Sequence, residues 1–257
     1  METTHMPVLF VGHGSPMNAI EDNEFSRGWE AAVKMLPTPR AIVCISAHWE
    51  TMGSAVTAMA KPRTIHDFGG FPRRLFEMEY PAPGAPEMAQ RIARLVKSAP
   101  VKADQAWGLD HGTWSVLCRM YPQADIPVVQ FSLDRSHDAA FNYQLGKELG
   151  ELRREEVLIV GSGNIVHNLR VMVFEDAAFD WAVDYDARVK QWILDGDHQS
   201  IIHYEKQGPA AALAVNSAEH YLPLLYVLGL QEPGEPVSFF NEKVWGGSLS
   251  MRCVKIG

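Results

Sequence analysis

Five histidines stand in short polar or glycine-rich motifs that follow or precede apolar runs. They are His13 in GHGSP, His48 in SAHW, His111 in LDHGTW, His167 in GSGNIVH and His220 in SAEHYLP. Imidazole binds iron, zinc, copper or nickel, so several such rings gathered at one edge of a fold would make a mononuclear metal site. Ten histidines stand against three cysteines, which points to nitrogen rather than thiolate ligation. Cys44, Cys118 and Cys253 form no C-x-x-C pair, and each lies in an apolar run. They read as small buried hydrophobes, not as a disulfide framework or a thiolate zinc site.

Taken singly, each histidine has an ordinary alternative as a hydrogen-bonded structural residue. The glycines around His13 can make a turn or cradle an anion. Gly161-Ser162-Gly163 has the start of a dinucleotide-binding loop, but Val166 stands where a third glycine belongs. His5, His198 and His203 read as surface residues, and His137 as the neighbour of a helix cap. Ser217–Pro223 reads as a helix start, with Ser217 as N-cap and Pro223 in the first turn. Glu219 and His220 then lie at the mouth of the apolar helix Leu222–Leu228, which suggests a buried polar site. Glu219 alone can equally be there because a helix N-terminus favours an acid.

The elements that must position these residues are legible as alternating patterns. Val8–Val11, Ala41–Ser46, Pro127–Leu133 and Val157–Val160 have the β-branched content of buried strands. Glu87–Lys97, Asp138–Arg153 and Trp181–Leu194 carry apolar residues at helical spacing, and Trp114–Tyr121 is a further helical run. Leu249–Ile256 reads as a closing strand. Such alternation predicts an α/β domain, its central sheet mostly parallel or mixed and flanked by helices. Sites in such sheets form outside the carboxyl ends of the strands, where His13, His48 and His167 fall. Pro62–Gly84, rich in Pro, Gly and aromatics, reads as a loop lining that site. Arg153-Arg154-Glu155-Glu156 reads as a solvated helix end.

Composition narrows the function classes. The chain of 257 residues has 23 Lys and Arg against 31 Asp and Glu, a net charge of −8, which argues against a broad nucleic-acid or anionic-membrane surface. No run approaches the ~20 apolar residues that span a bilayer, and METTHMPVLFVGHG lacks the pattern of a signal peptide. The expectation is a single cytoplasmic domain over residues 1–257. Its oligomeric state is left open by these features.

The motifs GHGSPMN (12–18), SAHWE (46–50), IHDFGGFP (65–72), DHGTW (110–114), SGNIVHNL (162–169) and EHYLPLLYVLG (219–229) occur in this order. Together they resemble the LigB-type class III extradiol ring-cleavage dioxygenases, and within them the bacterial branch related to 4,5-DOPA cleavage. GSLSMRCVKIG (247–257) is similar to the end of that branch. The resemblance implies a LigB-like α/β fold with one mononuclear metal at the sheet edge, Fe(II) for activity, with zinc possible in purified protein. It implies His13, His48 and His220 as ligands, with Glu219 the adjacent alternative to His220. His167 is implied as the acid–base residue and as a further ligand when substrate is absent, and His111 as a contact to substrate or oxygen.

By the same resemblance the substrates are a small-molecule catechol, such as L-DOPA, and O2. The product is a seco-DOPA or muconic semialdehyde. An unperturbed imidazole pKa near 6.5 would suit His167 to proton transfer at neutrality. His66, Asp67, Phe68, Phe71 and Tyr221 are the candidate substrate contacts, the aromatics for the ring and Asp67 for an amino group. Two other classes are weighed against this reading: a zinc hydrolase using metal-bound hydroxide, and a non-enzymatic metal-binding protein on the same scaffold.

Overall fold

In a computed structural model, which describes residues 5–257, the apolar runs form a sheet filled on both faces. Its strands are β1 (Val8–Gly12), β2 (Ala41–Thr51), β3 (Ser54–Thr57), β4 (Val101–Asp104), β5 (Val128–Asp134), β6 (Val157–Gly163), β7 (Val237–Phe240) and β10 (Cys253–Ile256). The order across the sheet is β4-β3-β5-β2-β6-β1-β10-β7. The four central strands β5, β2, β6 and β1 are mutually parallel, and the antiparallel pairs β3–β5, β1–β10 and β10–β7 make the whole sheet mixed. Strands β8 (Val244–Trp245) and β9 (Leu249–Ser250) pair separately as a short ribbon.

Alternation along each central strand divides the core in two. Val8 and Phe10 face one layer with Val43, Ile45, Ile159 and Val129. Helices α3 (Pro86–Leu95), α5 (Ala139–Glu148), α7 (Asp180–Asp195), α8 (His198–Ile202), α9 (Pro209–Ala214) and α10 (Leu222–Gly229) complete that layer. Leu9 and Val11 face the other layer with Ile42, Cys44, Leu158 and Val160. There they meet α1 (Glu24–Val33), α4 (His111–Met120) and Leu75 of the one-turn α2 (Arg73–Phe76). The result is a single α/β domain. Among the described residues no helix is long and apolar enough to cross a membrane.

Several expectations change in detail. The Ala41–Ser46 run continues to Thr51, with a register shift against β5 between Ile45 and Glu50, so His48 lies inside β2 rather than after it. Asp138–Arg153 breaks at Leu149-Gly150 into α5 and the one-turn α6 (Glu151–Arg154). The closing strand is interrupted by Met251-Arg252 between β9 and β10. Ser217 is no N-cap: α10 starts at Leu222 after Tyr221, and the Ser217 hydroxyl donates to Glu219 Oε1 at 2.8 Å. Arg153 is not solvated either. It is 1% exposed and bonds Glu235 through both terminal nitrogens, because Glu235 arrives from the loop before β7.

Candidate active site

The carboxyl ends of β1, β2 and β6 lie side by side, since β6 pairs with both β1 and β2. His13 leaves β1 immediately after Gly12, and its backbone N–H donates to the Gly163 carbonyl at the end of β6. His220 comes from the far side of the chain. Its carbonyl accepts from Asn164 N at 2.8 Å, and a Cβ on Gly163 would lie 2.1 Å from that oxygen. A Cβ on Gly161 would likewise lie 2.6 Å from the Pro223 carbonyl. The glycines of the GSG motif therefore admit α10 and His220 against β6; the loop they resembled in sequence has a different use here.

Three imidazoles converge. His13 Nε2 and His48 Nε2 are 3.1 Å apart, and the His220 ring centroid is 5.2 Å from that of His13 and 5.0 Å from that of His48. One ligand atom from each of the three lies within 4.8 Å of the others. The hydrogen bonds behind them fix the tautomers. The Ser162 hydroxyl donates to the Gly112 carbonyl, so Ser162 Oγ accepts from His13 Nδ1 at 2.9 Å. His220 Nδ1 donates to the carboxylate of Glu219 at 3.0 Å. His48 Nδ1 faces Asp67 Oδ2 at 3.4 Å. The Nδ1 atoms of His13 and His220 are thus occupied and their Nε2 atoms keep lone pairs for the centre, while His48 Nδ1 has the Asp67 carboxylate beside it.

Two ring nitrogens at 3.1 Å share either a proton, as a hydrogen bond, or a cation between their lone pairs. Ligand nitrogens about 2.0–2.1 Å from a tetrahedral ion stand about 3.3 Å apart, near the observed His13–His48 separation. Burial above all, with the neighbouring imidazoles adding to it, pushes His13 and His220 well below the ordinary histidine value. Burial likewise takes His48 down to about 3. Neutral imidazole is the form that binds metal. The donor set fits one divalent ion with open positions.

Around this triad stand two more histidines. His167 stacks face to face on His220, centroids 3.4 Å apart and planes within 6°. Burial carries it down to about 4, so the ring is neutral and proton-accepting at neutrality, but a weaker base than the unperturbed value implies. His111 opens α4, and its ring centroid is 3.9 Å from that of His48.

Asp67, exposed at the site, is engaged with two of the histidines. Its carboxylate accepts from His111 N at 2.9 Å and lies 3.0 Å from His111 Nδ1 while facing His48. Partial burial raises its pKa, but the hydrogen bond from His111 and the two rings outweigh that and bring it below the usual carboxylate range.

The other candidates divide. Phe68 sits edge-on to His111 at 5.5 Å, with Phe71 at 5.4 Å behind it, an aromatic wall beside the histidines. His66 is one step further out, bonded to the Met78 carbonyl at 2.9 Å and packed against Phe68 and Trp114. Tyr221 is not at the site: it is 1% exposed, against Tyr204, with its hydroxyl on the Ile201 carbonyl. His5 and His198 are half-buried rather than on the surface, near Glu232 and Tyr143 respectively. His203 and His137 are exposed, the latter beside the α5 cap Asp138. The three cysteines are unpaired.

Ser162, Gly112 and Gly163 support the site without being among the residues the sequence motifs single out for chemistry. The signal for Ser162 was present: a polar residue within the otherwise apolar strand VLIVGSG.

A nitrogen-rich centre at the carboxyl edge of a parallel sheet, its imidazoles backed by carboxylates and a hydroxyl, defines a metal-dependent class of enzyme. The sequence agrees. Residues 1–245 match the family described as the catalytic LigB subunit of aromatic ring-opening dioxygenase, and the chain belongs to that family. It is 47% identical to the Escherichia coli protein named 4,5-DOPA dioxygenase extradiol, over 100% of this chain and 97% of that one. It is 36% identical to a Beta vulgaris protein of the same name, over 96% of this chain and 95% of the relative. A crystal structure of an uncharacterized Escherichia coli K12 protein superposes with a TM-score of 0.86 at 43% identity, covering 98% of this chain and 100% of that one.

Proposed function

We propose that this chain is an Fe(II)-dependent extradiol dioxygenase that opens the ring of L-DOPA or a close catechol with O2. The observation that carries the reading is the convergence of three imidazoles, with Ser162 and Glu219 bonded to the Nδ1 atoms of His13 and His220 and Asp67 beside that of His48. His13, His48 and His220 would hold the metal, and Glu219 orients His220 rather than replacing it. Bound there, Fe(II) supplies the Lewis acidity that makes a catechol hydroxyl acidic and the electron relay between ring and oxygen.

The chain supplies the rest. His167, neutral and stacked on a ligand, accepts the hydroxyl proton at a ring nitrogen and later returns it. His111, its Nδ1 3.0 Å from the Asp67 carboxylate, is held beside His48, where its ring would steady negative charge as it develops on oxygen. Phe68 and Phe71 form the wall against which the aromatic ring rests. The carbon–carbon bond beside the diol breaks, and both atoms of O2 enter the product, one as aldehyde and one as carboxylate oxygen. No external reductant is needed. The reading includes a cytoplasmic setting, consistent with three unpaired cysteines.

The test is oxygen uptake. Apoprotein reconstituted anaerobically with Fe(II) and then given L-DOPA or caffeate and air should consume O2 and turn yellow. Zinc-loaded protein should do neither, although three imidazoles accept zinc readily. Absence of uptake with every catechol tried would overturn the proposal.

A further inference from the structure

The first turn of α4 touches more of the site than the one histidine it carries. Asp110, the N-cap of α4, is fully buried, and four donors converge on its carboxylate. They are Ser46 Oγ at 2.7 Å, Gln130 Nε2 at 2.6 Å, Thr113 N at 3.2 Å and Trp107 Nε1 at 3.4 Å. Asp110 N donates in turn to Gln130 Oε1 at 2.9 Å, which closes a ring of bonds between the helix start and β5. A buried carboxylate so fully satisfied is a rigid anchor.

From this anchor three routes reach the histidines. Ser46, held by Asp110, accepts the backbone N–H of His48 at 3.2 Å. Gly112 lies so close that a Cβ there would be 2.5 Å from Ser46 Oγ and 2.8 Å from His48 Cδ2. The Gly112 carbonyl takes the Ser162 hydroxyl, and so fixes Ser162 as the acceptor for His13 Nδ1. His111 is the first residue of the helix itself.

We infer that Asp110 is a positioning residue that holds His48, His13 and His111 in one register through the first turn of α4. It touches no reacting atom and acts through Ser46, Gly112 and the helix start. An asparagine has the same shape but must turn an N–H toward one of the donors, so Asp110→Asn loosens the turn while leaving the packing volume unchanged. The inference rests on the metal reading above. Partners that orient metal ligands typically set affinity by about 10–100-fold.

Co(II) serves as the probe, because its visible bands report ligand geometry without turnover. Asp110→Asn should weaken Co(II) binding about 10–100-fold and shift those bands. Ser46→Ala should reproduce part of the loss, and the double variant should lose less than the two singles combined. Glu235→Gln, far from the site and destabilising in its own right, should leave affinity and bands as they are in the parent. Wild-type affinity and bands in Asp110→Asn, or losses that merely follow stability as in Glu235→Gln, would overturn the inference alone. Should Asp110→Asn fail to fold, unchanged Co(II) binding by Ser46→Ala overturns it equally. A parent protein that binds no Co(II) overturns the metal reading and this inference with it.

Discussion

His13 Nε2 and His48 Nε2 face each other at 3.1 Å from strands that do not pair, with β6 between them. Neither ring is placed by its own strand alone. Ser162 of that intervening strand sets the first, and Asp67 of a distant loop faces the second. Removing the Ser162 hydroxyl should therefore act on the metal. Ser162→Ala frees His13 Nδ1, and metal affinity should fall about 10–100-fold, read by titration with Co(II) or Fe(II).

Asp67→Asn separates two roles for this loop. As the carboxylate between His48 and His111, Asp67 should matter for every catechol, so the variant should lose metal affinity and kcat alike with L-DOPA and with caffeate. A rise in KM confined to L-DOPA, the substrate with an amino group, would show instead that Asp67 binds substrate.

His167→Asn removes the stacked base and leaves the three-imidazole set intact. Turnover should fall about 10²–10⁴-fold, the range of general acid–base catalysis, with metal content unchanged. Metal loss on the same scale as turnover loss would identify His167 as a ligand.

Gly163→Ala tests the approach of α10 to β6. Its methyl group would meet the His220 carbonyl at 2.1 Å, so helix or strand must shift. The variant should lose about 1–3 kcal/mol of stability by denaturant titration and bind metal weakly. Gly70→Ala, where a Cβ meets nothing within 4 Å, is a control for space but not for backbone strain, its φ being +79°.

Acid stability should report the Arg153–Glu235 pair. Partial burial raises the Glu235 carboxyl, but the Arg153 hydrogen bonds outweigh it and hold it below the ordinary glutamate value. A carboxyl lowered on folding stabilises the protein above its unfolded pKa of about 4.3, and that stabilisation disappears as pH falls through the folded value. Tm should therefore drop on acidification below about pH 4, and Glu235→Gln should have a lower Tm at pH 7 and a shallower acid limb.

The central strands were legible because β1, β2, β5 and β6 are buried on both faces, and continuous β-branched runs mark such strands. His13, His48 and His167 were legible for the same reason, as polar residues at or near the ends of those runs, whereas His111 and His220 stand at or just ahead of helical runs. Edge strands such as β4, with Lys102 and Ala103 exposed, carry no such mark. Tyr221 and Asp67 show the other limit. Which way Tyr221 turns depends on α8 and Tyr204, and what Asp67 accepts depends on α4 arriving opposite it. Partners set by tertiary packing leave no local pattern to read. The helix start at Ser217 failed similarly, because a serine has more than one use for its hydroxyl and here spends it on Glu219.

The three converging imidazoles come from positions 13, 48 and 220, and the ring that completes the set is seated by the docking of α10 on β6. During synthesis the first two of these rings emerge long before the third. A growing chain thus holds only two of the three converging imidazoles until most of its length has left the ribosome and α10 can dock on β6. On the proposed reading, capture of an ion by all three would be one of the last events of maturation, and the ion would reinforce the finished fold rather than any fragment of it.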